Sequence, residues 1–174
     1  MRVANLLLVE DTASDVRLVK EAVKEIGVPV EVAVAKDGIE AMNYLRDAEA
    51  GNVSRPDLVL LDLNLPRKNG REVLTEIKGS PNLRQIPVVV MTSSQAEEDV
   101  NAAYALNANC YIIKPSDLSE YVDVVRSIED FWFLTARLPE NSGSNSREES
   151  RQTSSTINAR SRGCGSRRTR IAIA

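Results

Sequence analysis

The chain of 174 residues contains no histidine. Without an imidazole it cannot build a Ser-His-Asp or Cys-His nucleophile pair, most zinc sites, or a phosphohistidine donor of its own. Cysteine is scarce: Cys110 lies in an apolar segment and Cys164 in a polar C-terminal stretch, so no disulfide framework is indicated. No apolar run approaches the roughly 20 residues of a membrane span. The opening MRVANLLLVED meets two acids too soon for a signal-peptide core. The expected setting is the cytoplasm, with no membrane partner. Aromatic residues number only seven, and three of them, Phe131, Trp132 and Phe133, are consecutive.

The length suits one domain with a substantial core. The formal net charge of −3 hides a split, since residues 1–138 carry 15 Lys+Arg against 22 Asp+Glu, while residues 139–174 carry 7 against 3. An acidic surface argues against duplex nucleic acid as a partner. From Pro139 onward the sequence is rich in Ser, Arg, Asn and Gly without a periodic apolar face. It cannot bury enough surface to fold alone, so a disordered tail is expected over 139–174 and no DNA-binding domain fits there. A non-native origin for part of that stretch stays open.

Apolar runs suited to strands recur at Val3–Val9, Val30–Ala35, Leu58–Leu61, Val88–Met91 and Cys110–Ile113. Helical spacing fills the gaps: Val16, Val19, Ala22, Val23 and Ile26; Ile39, Met42 and Tyr44–Leu45; Val73, Leu74 and Ile77; and Leu118, Tyr121, Val122, Val125 and Ile128. Glu97–Leu106 is the least periodic of the helical segments. Thr12 with Asp15, and Asp37 with Glu40, are spaced as capping pairs. Alternating strands and helices predict an α/β fold with a doubly wound, five-stranded parallel sheet of the flavodoxin-like order 2-1-3-4-5, because right-handed crossovers place helices on both faces. In that order strands 1 and 3 are neighbours, and ligands bind beyond their carboxyl ends.

The stretch PDLVLLDLNLPRKNG then gains a meaning, because Asp62 closes a wholly apolar strand. A buried carboxylate without a partner costs several kcal/mol, roughly. Strand 1 ends in Glu10–Asp11, strand 4 in Thr92–Ser93–Ser94 and strand 5 in Lys114–Pro115. Three carboxylates in one crevice repel unless a hard cation with oxygen ligands joins them, for which Mg²⁺ is the usual cellular choice and Mn²⁺ an alternative. With a hydroxyl and an ammonium at the same edge, the set suits a phosphoryl group, with Asp62 as nucleophile. Other fates exist for each residue singly: Thr92 as a helix cap, Lys114 as a solvated charge, Asn64 and Gly70 as turn residues.

The motifs VEDTASD, LLDLNLPRKNG, VVVMTSS and CYIIKP resemble those of the response-regulator receiver domains of two-component signalling, over Asn5 to about Leu138. EDTASDVRLVKEA and the ending FWFLTARLP are similar to the single-domain regulators paired with cyanobacterial and bacterial phytochromes. The resemblance implies a (βα)5 receiver over 1–138 that is a signalling switch rather than an enzyme, phosphorylated by a sensor histidine kinase such as a phytochrome. It implies Asp62 as phospho-acceptor, and Glu10, Asp11, Asp62 and the backbone carbonyl of Asn64 as metal ligands. Thr92 and Lys114 would bind the phosphoryl, Thr92 and Tyr111 would switch the face of helix 4, strand 5 and helix 5, and Asn64 and Ser94 would tune dephosphorylation. Two other readings remain: an aspartyl-phosphate hydrolase, which lacks its second acid because Asn64 stands there, and a receiver-like module that never accepts phosphate.

The aromatic triplet adds a further expectation. At about 100° per residue a helix cannot turn Phe131, Trp132 and Phe133 all inward. If Val125, Ile128 and Trp132 face the core, Val124 and Phe131 form a second stripe, available for a homodimer through helix 5. The alternative is that the end of the chain folds over it.

Overall fold

An unbroken apolar tetrapeptide has two faces to bury, and Leu58–Leu61 buries both. The computed structural model describes residues 3–24 and 29–139. Five strands, β1 (Ala4–Val9), β2 (Val30–Ala35), β3 (Leu58–Leu61), β4 (Val88–Thr92) and β5 (Cys110–Ile113), alternate with helices α1 (Ala13–Lys24), α2 (Gly38–Glu49), α3 (Gly70–Gly79), α4 (Glu97–Ala105) and α5 (Leu118–Glu129). The strands pair in parallel in the order β2-β1-β3-β4-β5. This is the expected doubly wound sheet. Ile26 lies outside the described residues, as do 140–174 of the proposed tail. The chain divides into a compact unit, Met1–Asn141, and a second, Ser142–Ala174, that is outside the description.

Because strand side chains alternate, each strand feeds two cores. Leu7, Val9, Val59, Leu61, Val88 and Val90 pack against Met42 and Leu45 of α2, Val73, Leu74 and Ile77 of α3, and Ala103 of α4. Leu6, Leu8, Leu58, Leu60, Val89 and Met91 pack on the other face against Val19, Ala22 and Val23 of α1 and Tyr121, Val125 and Ile128 of α5. Each fully buried Leu or Val removes enough apolar surface for about 1.5–3 kcal/mol.

Local chemistry sets where the helices begin. Asp37 accepts from the amides of Ile39 and Glu40 to cap α2, while Glu40 accepts from the amide of Lys36. Asn69 and Glu72 form a full capping box on α3. The expected pair at α1 does not form: Asp15 is drawn instead to Lys114, and the amide of Thr12 donates to Glu10. At α4 the N-cap is Ala96, without a side-chain cap, and only Ala103 of the helix is buried. Asp99 of α4 pairs with Arg71 of α3, and it also accepts from the hydroxyl of Ser94.

Two glycines let the loop after β3 lie close to its neighbours. A Cβ on Gly70 would come within 2.2 Å of the carbonyl oxygen of Asp62, and one on Gly38 within 2.4 Å of that of Lys68. The amides of Gly70 and Gly38 donate to Leu63 and Lys68, and Arg67 pairs with the buried Asp37. The loop leaving Asp62 is thereby pinned at both ends.

The last helix departs from expectation. The α-helical hydrogen-bond pattern stops at Glu129 and a π-helical turn runs over Asp130–Thr135. Its i→i+5 pattern breaks the seven-residue spacing that would align Phe131 with Val124. Val124, expected on an outward stripe, is half-buried against the α1/α5 core, as are Trp132 and Phe133. Phe131 and Leu134 remain exposed. Just before the turn, Glu129 is 1% exposed, and neither of its carboxylate oxygens has a hydrogen-bond partner among the described residues. Burial first, and then the negative charge of Asp130, push its carboxyl up to about 8.

Candidate functional site

The parallel ladder brings the strand ends into register. Val9 stands beside Leu61 and Thr92 beside Ile113, so Glu10 and Asp62 leave the sheet together, as do the β4 and β5 ends. The ladder continues one step past the strands: the amide of Asp62 donates to Val9 (3.0 Å), that of Glu10 to Ala35 (2.9 Å) and that of Lys114 to Thr92 (2.8 Å). Side chains from β1, β3 and β5 consequently converge.

Lys114 stands at the centre. Its Nζ donates to Glu10 Oε2 (2.6 Å), Asp62 Oδ2 (2.6 Å) and Asp15 Oδ2 (2.8 Å). The lysine, Glu10 and Asp62 side chains are at most 10% exposed, while that of Asp15 is 21% exposed. Burial alone would push the ammonium down, but the three carboxylate bonds outweigh it and hold Lys114 above its ordinary value. Burial pushes the Glu10 carboxyl up, against the lowering pull of Lys114 and of the Thr12 amide. Removing the ammonium from such a buried cluster strands its carboxylates, at about 3–5 kcal/mol.

The remaining residues are arranged around this centre. Asp62 Oδ1 accepts from the amide of Asn64 (2.9 Å), whose side-chain Nδ2 reaches Thr92 Oγ1 (3.3 Å) and Ser93 Oγ (3.4 Å). Thr92 is fully buried. The hydroxyl of half-buried Tyr111 donates to the carbonyl of Ser94 (3.0 Å). Ser94 itself is not brought to the cluster, because its own hydroxyl is taken by Asp99; Ser93 is the serine beside Asn64. Asp11 is exposed and, among the described residues, reaches only the hydroxyl of Thr12 (3.4 Å). The three acids expected to hold a metal are therefore not drawn together. Among the described residues no three His, Cys, Asp or Glu side chains form a ready-made metal cluster. The donor set nevertheless fits a hard cation: Glu10 and Asp62 already aim oxygens at one positive charge, and Asp11 supplies a third carboxylate next door.

Asp15 is the participant that motif reasoning passed over. It sits in the first turn of α1, directly after the β1 carboxyl end. An acid at that place in a doubly wound fold is a signal in itself.

Comparison with known proteins gives a consistent picture. The response regulator receiver domain family matches residues 6–126. Response regulator Rcp1 of Synechocystis sp. is 49% identical over 135 residues, covering 77% of this chain and 92% of that protein. Among solved structures, the phosphorylated cyanobacterial phytochrome response regulator RcpA is 51% identical with a TM-score of 0.77, covering 80% of this chain and all of the other. The Mn²⁺-bound form of Rcp1 is 48% identical with a TM-score of 0.75, covering 79% and 99%. Among the described residues no helix is long and apolar enough to cross a membrane.

Proposed function

The chain belongs to the response regulator receiver domain family, and from that premise we propose that Asp62 accepts a phosphoryl group from the phosphohistidine of a sensor kinase. The observation that carries the reading is Lys114 Nζ bridging Glu10 and Asp62 at the carboxyl edge of β1 and β3. The chain has no histidine, so the donor lies outside these 174 residues. The similarity to RcpA, described as a cyanobacterial phytochrome response regulator, supports a phytochrome as that kinase. The cytoplasm is the compartment this pairing requires.

An oxygen of Asp62 attacks phosphorus in line, the O–P bond forms as the P–N bond breaks, and the donor imidazole leaves with the electron pair. Glu10, Asp11, Asp62 and the carbonyl of Asn64 would hold a divalent metal, Mg²⁺ or Mn²⁺, which would supply charge neutralisation to the transferring oxygens. Lys114 and the hydroxyl of Thr92 bind those oxygens. The new group carries about −1.5 to −2 charges where the free carboxylate carried one, and Thr92 moves toward it. Tyr111, tied to the backbone of Ser94, follows and shifts the α4–β5–α5 face. Asn64, two residues after Asp62 and beside Thr92, and Ser94, acting from its bond to Asp99 outside the cluster, set the rate of loss.

Acetyl phosphate with Mg²⁺, read by intact mass, tests the acceptor role: one phosphoryl is expected per chain. An unlabelled wild type would support the inert module, and turnover of small phosphate esters would support the hydrolase. Trp132 gives a control on geometry, because it follows α5 at the end away from Lys114 and packs on the α1/α5 core. Its emission should stay constant as Mg²⁺ is added, and a large quench would refute this placement of the metal.

The exposed π-helical turn is the surface we assign to a homodimer, now centred on Phe131, with Val124 at its buried margin. Sedimentation should show the wild type self-associating and Phe131→Glu monomeric. Identical monomer profiles, with and without a phosphoryl mimic, rule the dimer out.

A further inference from the structure

We propose that Asp15 is a positioning residue that holds the Lys114 ammonium beside the Glu10–Asp62 cation position, so that a metal can enter without stranding the lysine. The inference rests on the receiver reading above. An ammonium has three N–H donors, and here each goes to a carboxylate: Glu10, Asp62 and Asp15. Two of those acceptors are the ones a hard divalent ion would claim. When they turn to the metal, the ammonium must find other partners in a cleft that leaves its side chain 10% exposed. Asp15 is the acceptor that remains.

Its placement fits that task. Asp15 comes from the first turn of α1 rather than from a strand end, and its carboxylate is the most exposed of the three. It is not committed to a helix cap, and its other contact is a long bond from the hydroxyl of Ser14 (3.4 Å). The buried Tyr121 of α5 lies close enough to feel the charges of both Asp15 and Lys114. Displaced from Glu10, the ammonium keeps a charged partner at one edge and swings about it. The same anchor leaves it within reach of Asp62 once a phosphoryl group replaces the free carboxylate.

A double-mutant cycle on divalent affinity separates this role from bulk charge. Mn²⁺ binding, measured by calorimetry on wild type, Asp15→Asn, Lys114→Met and the double variant, should weaken about tenfold on Asp15→Asn when Lys114 is present, in line with outer-shell effects on metal sites. With Met at position 114 the same substitution should cost no more than about twofold, through long-range charge alone. Equal losses in both backgrounds, or no loss in either, overturn the proposal. Should the Lys114 variants fail to fold, the ¹⁵N resonance of the Lys114 ammonium gives the answer in the other two proteins. It should persist in wild type at saturating Mg²⁺ and vanish in Asp15→Asn; loss in both, or persistence in both, overturns the proposal. A wild type that neither binds metal nor gains a phosphoryl from acetyl phosphate refutes the receiver chemistry itself. A wild type that does both, matched by Asp15→Asn in affinity, refutes only the role of Asp15.

Discussion

Incubated with acetyl phosphate and Mg²⁺, Asp62→Asn gains no phosphoryl group under conditions that label every wild-type chain. An amide is neutral and its lone pairs are delocalised, so it cannot form the O–P bond. The loss is complete rather than partial. Folding should survive, because Lys114 keeps Glu10 and Asp15 as partners and the substitution removes one of three mutually repelling carboxylates. The Asn64 amide still finds an acceptor in the Asn oxygen. Intact mass before and after treatment is the measurement, with circular dichroism to verify the fold. Labelling that persists in the variant would remove Asp62 from the role, and labelling that survives EDTA would remove the metal.

Raising the pH from 5 to 8 should lower the stability of the wild type, and Glu129→Leu should abolish that part of the loss. Glu129 titrates near 4.5 when unfolded and near 8 in the fold, because burial disfavours the charged form. Between those values the native state holds a proton that the unfolded chain has released. Stability therefore falls as pH rises, by about 1.4 kcal/mol per unit, and levels off above the folded pKa. The full effect is on the order of 4 kcal/mol. The Leu variant also removes a polar group that has no partner among the described residues, so it should be more stable than wild type at both ends, with the larger gain at pH 8. Urea denaturation of the two proteins across that range decides the matter. A constant difference between them would mean that Glu129 is ionised, and partnered, throughout.

The strands were legible almost to the residue because each is a short apolar run between turn residues. β3 is Leu58–Leu61 as expected, and β4 gains only Thr92. Glu97–Ala105 has weak periodicity for a physical reason: a helix that buries one alanine needs no apolar stripe. Asp15 was hidden by its own spacing, since three residues after Thr12 is also where a capping partner belongs. Its actual partner lies 99 residues away, a contact that local pattern cannot carry. Glu129 was hidden in another way. It falls four residues after Val125, on the face that Tyr121, Val125 and Ile128 bury, but its residue type argues for solvent. The α-to-π change at Asp130 leaves no signature in the apolar spacing, and the second stripe drawn from that spacing moved with it.

The light anchoring of α4 bears on how much work the proposed switch would have to do. The helix has one buried alanine and no side-chain cap, and its polar ties are the Ser94 hydroxyl on Asp99, a long bond from the Tyr111 amide to the Tyr104 hydroxyl, and an Arg71–Asp99 pair whose arginine is 48% exposed. Such a pair contributes about 1 kcal/mol or less. Two arrangements of α4 can therefore lie within a few kcal/mol of each other without any rearrangement of the leucine and valine core. An element with two arrangements a few kcal/mol apart holds about 0.1–10% of its population in the minor one. Inverting a ratio of 1:99 takes about 5.5 kcal/mol of differential interaction. A phosphoryl group bonded by Lys114 and Thr92 in one arrangement only is an adequate source, each charge-assisted hydrogen bond being worth about 1.5–3 kcal/mol. Should the proposed switch act through α4, the unphosphorylated protein would already sample the shifted arrangement, to an extent that the Arg71–Asp99 pair helps to limit.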